Sequence, residues 1–307
     1  MSDWPRLDYA NERGTYEAVH LLLQLIGKLP TRLLPWENHG WHVALRVTPR
    51  GFATRPMPGG LRQFTAELDV HDAVIRIACD NGFAREVQVA GRPVATIHAE
   101  LEVILKDKGL QAPLWGGPNE MPDPVPFAQD DRSREWDSDA VVRLHRAFGL
   151  AAAVFDRFRA RYRGKCSPVH LFWGSFDLAV TRFSGRPAPI HPGGIPHLPD
   201  SVTREAYSHE VISAGFWPGG NGVEEAAFYA YAYPTPPGLA GSRIAPQEAG
   251  WNATLGEFIL PYEAVRLSAD PDDALMRFLD STWRAAAGLL NWPGGLETGD
   301  AVGHPPA

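Results

Sequence analysis

Residues 167–186 read SPVHLFWGSFDLAVTRFSGR. Within them Phe176, Leu178 and Val180 alternate with Asp177, Ala179 and Thr181, and a period of two is that of a β-strand. The apolar set belongs against a core, which leaves Asp177 and Thr181 on the opposite face. VHLFW, just upstream, is a second short strand that carries His170. Further along, EAYSHEVISA, FYAYAY and EFILPY read as strands, separated by Pro- and Gly-rich loops at 184–200 and 234–250. Tyr229, Tyr231 and Tyr233 share one face of FYAYAY, and the small Ala230 and Ala232 share the other. Helices flank this block. Ser138 caps one that runs to about Tyr162, with Leu144, Phe148, Ala151, Phe155 and Phe158 inward. Asp270-Pro271 opens another on Leu275, Phe278, Leu279, Trp283 and Ala286.

The first half has the same ingredients. Val19, Leu22, Leu23 and Ile26 recur at helical spacing and predict a helix over 14–28 that ends near Gly27. WHVALRV predicts a strand over 41–48, FATRPM continues extended, and FTAELDV, AVIRIAC and REVQV give three more strands. Asp80-Asn81-Gly82 sits at one break, where Asn-Gly favours a tight hairpin. Pro93 starts a helix that ends at Gly109. The class is therefore α+β, with mostly antiparallel sheets and flanking helices. Gly27-Lys28 corresponds in position to Gly164-Lys165, and Leu45–Thr48 to Leu178–Thr181. These matches suggest two duplicated halves forming one compact unit; coincidence among common residues is the alternative. The division is 1–110 for the N-terminal half, 111–137 for a Pro-rich linker, 138–292 for the C-terminal half and 293–307 for a tail expected to fray.

Composition narrows the partners. The chain has 307 residues, a net charge of −7 and only two cysteines, Cys79 and Cys166. An acidic balance argues against nucleic acid or an anionic membrane as the main partner. Two scattered thiols fit a reducing, cytoplasmic setting, and the start MSDWPRLDY lacks a signal-peptide pattern. A homo-oligomer is left open. No phosphate-cradling loop, dinucleotide fingerprint, GxSxG elbow or HExxH motif occurs, so no nucleotide cofactor is implied.

Ionisable and aromatic residues concentrate in 167–186 and in REAYSHEVISAGFWPGG (204–220). His170 and His209 are candidate acid/base groups, because imidazole titrates near neutral pH, with Asp177 or Glu210 orienting them. His170, His209 and His42 are also candidate ligands for a divalent metal. Each has a structural alternative, a turn cap or a bond to a carbonyl. Arg182 and Arg204 suit a bidentate clamp on a carboxylate or phosphate, or internal ion pairs. Tyr207, Tyr231 and Trp173 are candidate pocket walls, and Ser175 a weaker candidate nucleophile. His39 and His42 lie three apart where an extended chain would project them to opposite sides. His20, on the first helix, is expected to reach the same region.

The segments HLFWGSFDLAVTRFSGR, REAYSHEVISAGFWPGG and LGEFILPYE, with NHGWHVALRVTPRG in the first half, resemble a family of bacterial hypothetical proteins known as a domain of unknown function. The likeness runs from about Trp4 to Trp292 and departs at Gly40, where the family's common form has an aromatic residue. It implies that the whole chain is the unit, and it brings no activity, cofactor or catalytic residue. Three functions remain in view. One is an enzyme on a small anionic molecule, using histidine-based or metal-assisted chemistry. The others are a non-catalytic binder of a small ligand and a structural or interaction protein.

Overall fold

The computed structural model describes residues 3–110, 114, 116–121, 123–195, 197–220 and 223–297. The alternating stretches pair into two six-stranded sheets. The first holds β1 (Arg46–Val47), β2 (Gly51–Ala53), β3 (Met57–Gly59), β4 (Arg62–Asp69), β5 (Val74–Cys79) and β6 (Ala84–Gln88). Its order is β1-β2-β4-β5-β6, with β3 on β4. The second holds β7 (His170–Phe172), β8 (Asp177–Pro187), β9 (His209–Trp217), β10 (Ala227–Tyr233), β11 (Gly250–Asn252) and β12 (Glu257–Pro261), in the order β11-β12-β10-β9-β8-β7. Every pairing among the described strands is antiparallel. The helices are α1 (Tyr9–Leu33), α2 (Val94–Asp107), α3 (Ser138–Ala160), α4 (Asp200–Ala206), α5 (Tyr262–Leu267) and α6 (Pro271–Leu289). The fold is α+β, as the alternation implies. No described helix is long and apolar enough to cross a membrane.

Leu45 and Leu171 exchange two backbone hydrogen bonds of 2.9 Å and so join the two sheets. One hydrophobic cluster carries residues from both halves. Residues 116–137 lie along it: Phe127 is buried, its N–H bonds to the Gly116 carbonyl at 3.0 Å, and the Asp130 carbonyl takes the Ala95 N–H at 2.9 Å. Residues 111–113, 115 and 122 of the expected linker lie outside the described residues. The strand orders of the two sheets differ, so the topology does not confirm the duplication.

In the second sheet Leu178, Phe216, Phe228 and Leu260 form one row across β8, β9, β10 and β12. All four are buried, on the face packed under α3 and α6. Phe148 of α3 meets Phe216 edge-on at 5.0 Å. The adjacent row, Ala179, Gly215 and Tyr229, belongs to the opposite face. This is the face that the alternation around Asp177 leaves free of the core.

Five local expectations are corrected. α1 does not end at Gly27 but continues to Leu33. Gly27 is there for packing: a Cβ on it would sit 2.4 Å from Trp173 Cδ1. Residues 41–44 are not strand. Asn38–Val43 is a 3₁₀ stretch kinked at His39 (φ 60°) and Gly40 (φ 72°), and the Val43 carbonyl is taken by Trp173 Nε1 at 2.9 Å, not by a neighbouring strand. The segment EAYSHEVISA begins as the end of α4 and becomes strand only at His209. Finally, the chain beyond Trp292 stays attached as far as Glu297, where Arg163 N–H bonds to the Leu296 carbonyl at 2.8 Å; residues 298–307 of the expected frayed tail lie outside the described residues. The cap of α3 is Asp137, whose carboxylate takes the Asp139 and Ala140 N–H groups.

Gly27→Ala separates helix propensity from packing. In an open helix the change stabilises by about 1 kcal/mol. Against Trp173 it should instead destabilise by about 1–3 kcal/mol, read by urea unfolding. A stabilised variant would contradict the close approach.

Candidate functional site

On the core-free face of the second sheet lies a cavity of about 520 Å³. Its floor is made by alternate residues of three strands: Asp177, Ala179, Thr181 and Phe183 of β8, Val211, Ser213 and Trp217 of β9, and Tyr229 and Tyr231 of β10. Glu257, the first residue of β12, completes it. The walls come from irregular segments: the kinked turn with His39, Trp41 and His42, the turn with Trp173 and Ser175, Asn119 and Glu120, and Leu198 to Tyr207 around α4. Volume and lining are those of a small-molecule pocket.

One face of α1 fixes these walls. His20 Nε2 bonds to the carbonyls of Trp173 and Gly174 at 2.8 and 3.1 Å, and its ring stacks on Phe176 at 4.8 Å. Burial pushes His20 down to about 4, so it stays neutral. One turn on, Gln24 donates to the Asn119 carbonyl at 3.0 Å and accepts from the Asn119 N–H at 2.7 Å. This double clamp sets the position of Glu120. Lys28, pushed down to about 8 by burial, donates to Asn119 Oδ1, and Asn119 Nδ2 donates to the His197 carbonyl at 2.6 Å. Residues four apart share a helix face, so three turns of α1 hold two separate loops.

Asp177 is the centre of the polar network. Ser175 Oγ donates to its Oδ1 and Tyr229 Oη to its Oδ2. Tyr229 starts two strands away. It reaches Asp177 by lying across Gly215, where a Cβ would be 2.3 Å from the phenol. Burial pushes the Asp177 carboxyl up, against the pull of the Ser175 and Tyr229 hydroxyls. Glu120 and Glu257 stand close enough to feel its charge. Burial first, and Asp177 second, push each of them up to about 7. None of the three makes an ion pair with a described Arg or Lys. Glu257 Oε2 is buried without a hydrogen-bond partner. Tyr207 and Tyr231 bond to each other at 2.9 Å, and Thr181 to Ser213 at 2.8 Å.

Backbone strain gathers here. Six described non-glycine residues have positive φ. Four of them are His39, Glu120, Phe176 beside Asp177, and His197 beneath Asn119. Each such residue costs on the order of 1 kcal/mol, and strain of this kind clusters at functional sites.

Of the residues singled out from sequence, Asp177, Tyr207, Tyr231, Trp173 and His42 line the cavity; His170, His209, Glu210, Arg182 and Arg204 do not. His170 is buried against the rings of Trp41 and Phe172, and burial pushes it down to about 3. His209 bonds to Ser208 Oγ at 3.1 Å and approaches the His39 ring at 5.8 Å. Glu210 accepts from Ser184 Oγ at 2.8 Å and pairs with Arg186 at 2.7 Å. Arg182 is on the α3 side of the sheet, donating to the Phe158 carbonyl at 2.5 Å and lying over the Phe158 ring. Arg204 pairs with Asp200 on the surface at 3.2 Å. No three His, Cys, Asp or Glu among the described residues are placed to hold a metal ion. Sequence reasoning passed over Glu120 and Glu257. A carboxylate opening the apolar strand EFILPY was a usable signal for Glu257; Glu120, on an irregular segment, gave none.

The raised carboxyls set a pH dependence. Glu257 keeps its proton up to about pH 7 when folded and loses it near the ordinary glutamate value of 4.5 when unfolded. Its contribution is therefore fully present below about pH 4.5 and is lost as pH rises through 7. Glu120 acts in the same direction. Urea unfolding across this range should show stability falling with pH, and Glu257→Gln should reduce the total fall between pH 4.5 and 7 by roughly 2–3 kcal/mol. An unchanged slope would contradict the buried carboxyl.

No curated protein and no solved structure matches the chain. A family model does, and it spans residues 4–297, from the Trp4 side of α1 past the Glu257 floor of the cavity. The chain belongs to the family of unknown function DUF5996.

Proposed function

We propose that the chain is an enzyme that binds a small molecule in this cavity and acts on it by proton transfer through Asp177, Glu120 and Glu257. The observation that carries the proposal is that three carboxyls, Asp177 and Glu257 on the floor and Glu120 on the wall, line one aromatic-walled cavity. A carboxyl near pKa 7 is half protonated at neutral pH, which suits it to give a proton in one step and take one in another. Two such groups on either side of Asp177 provide an acid and a base in one site. Asp177, held by two hydroxyl donors, is the fixed charge that sets their proton affinity. Ser175 and Tyr229 orient Asp177, and their hydroxyls are thereby occupied.

Acid/base work moves in this proposal from His170 and His209 to the carboxyls, because both histidines stand off the cavity lining. The small anionic substrate anticipated from Arg182 and Arg204 loses its support, since both guanidiniums bond elsewhere. Two imidazoles stand on the wall, His42, whose Nδ1 accepts from the Glu37 N–H at 3.3 Å, and His39. The His39 Nδ1 donates to the Ala206 carbonyl at 3.1 Å and its Nε2 accepts from Lys165 Nζ at 2.5 Å, which makes His39 a strut between the kinked turn and α4.

The test is turnover of a metabolite mixture by the wild type, Glu257→Gln and Asp177→Asn, followed by mass spectrometry. The wild type should convert at least one compound. Glu257→Gln should still bind that compound but convert it roughly 10²–10⁴ times more slowly. A compound bound by the wild type and recovered unchanged would make the cavity a binding site without catalysis.

A further inference from the structure

Resting on the small-molecule reading of the cavity, we infer that its ligand is a small organic cation, a primary amine or guanidine on an aromatic or alkyl body. The N–H groups lie against Asp177, Glu120 and Glu257, and the body lies among the aromatic walls.

Charge balance is the first reason. Three carboxyls line the cavity, and no described Arg or Lys pairs with any of them. Lys28, the wall lysine, is turned to Asn119 Oδ1 and lies over the Trp173 ring at 5.0 Å. Without a cation Glu120 and Glu257 accommodate burial and the Asp177 charge by holding protons. An ammonium supplies the missing charge and lets them ionise, and charge-assisted N–H···O bonds are the strong ones.

Hydrogen-bond accounting is the second. Glu257 Oε2 is an acceptor buried with no donor in the protein. Buried polar atoms are normally paired, and an N–H-bearing ligand pairs this one. Thr203, 1% exposed and on the cavity wall, has a hydroxyl without a partner, as does Trp217 Nε1. Each is a donor available to an acceptor atom on the ligand body.

The third is the wall itself. Trp41, Trp173, Trp217, Tyr207, Tyr229 and Tyr231 present aromatic rings to the cavity. Ring faces attract cations, most of all when water is excluded. Carboxylates backed by rings favour a cation and oppose an anion, which would meet the floor charge for charge.

Size-matched probes separate the classes: tryptamine and 2-phenylethylamine as amines, tryptophol and 2-phenylethanol as neutral counterparts, indole-3-acetate and 3-phenylpropanoate as anions. Calorimetric titration into the full-length wild type should show the amines binding at least roughly tenfold tighter than their alcohols, and the anions weakest. At pH 7 amine binding should release protons, seen as a dependence of the heat on the buffer's ionisation enthalpy. Glu257→Gln, checked for folding by circular dichroism, should lose most of the preference for amine over alcohol; Glu120→Gln serves as the second variant. Alcohols or anions binding as tightly as the amines would overturn the cation, and the cavity would stand as a small-molecule site. Binding by none of the probes would overturn the cation assignment, and turnover of an unrelated compound in the metabolite assay would then still uphold the cavity as an active site.

Discussion

The site depends on one buried carboxylate, Asp177, set at the start of β8 on the sheet face away from the core. A charge there needs donors, and the chain supplies two hydroxyls from different places. Ser175 comes from the preceding turn, closed through the left-handed Phe176. Tyr229 comes from β10 and crosses β9 where Gly215 leaves the backbone bare. Take away the glycine's open surface and the tyrosine cannot lie flat; take away the tyrosine and the carboxylate loses a donor in a place that water does not replace. Glu120 and Glu257 matter because both feel the charge of this group, which adds to burial in pushing each of them up.

α1 shows how the rest of the protein serves that arrangement. Its apolar residues join the common core, and that alone would make an ordinary packing helix. His20, Gln24, Gly27 and Lys28 add a polar and open stripe that grips the 173–174 turn and the 119–120 segment. The same helix therefore ties the core to the cavity walls. Strained backbone at His39, Glu120 and Phe176 persists because these anchors over-determine the loops.

Much of the fold was legible. The period-two alternation of 176–183 correctly separated Leu178 and Val180, which go to the core, from Asp177, Ala179 and Thr181, which line the cavity. The tyrosine face of FYAYAY likewise reached the site through Tyr229 and Tyr231. What failed was whatever depended on distant partners. WHVALRV alternates as a strand should, yet Trp173 takes the carbonyl that a neighbouring strand would have used. Arg182 lies one residue from Thr181 but on the other face of β8, where aromatic rings of α3 and α6 surround it. Glu120 sits in a Pro-rich stretch with no periodicity, and its place is set by Gln24, 95 positions away from the Asn119 it clamps. Histidines drew attention because of their intrinsic pKa; burial pushes His170 down to about 3 and Glu120 and Glu257 up to about 7, which composition alone cannot reveal.

Asp177, Glu120 and Glu257 are coupled in charge within one cavity. The most direct measurement is a carbon-13 NMR titration of the glutamate and aspartate side-chain carboxyls, in the wild type and in Asp177→Asn. The account predicts two glutamates with midpoints close to 7, both moving down once the Asp177 charge is removed. Glutamates that all titrate in the ordinary range near 4, unmoved by the substitution, would contradict it.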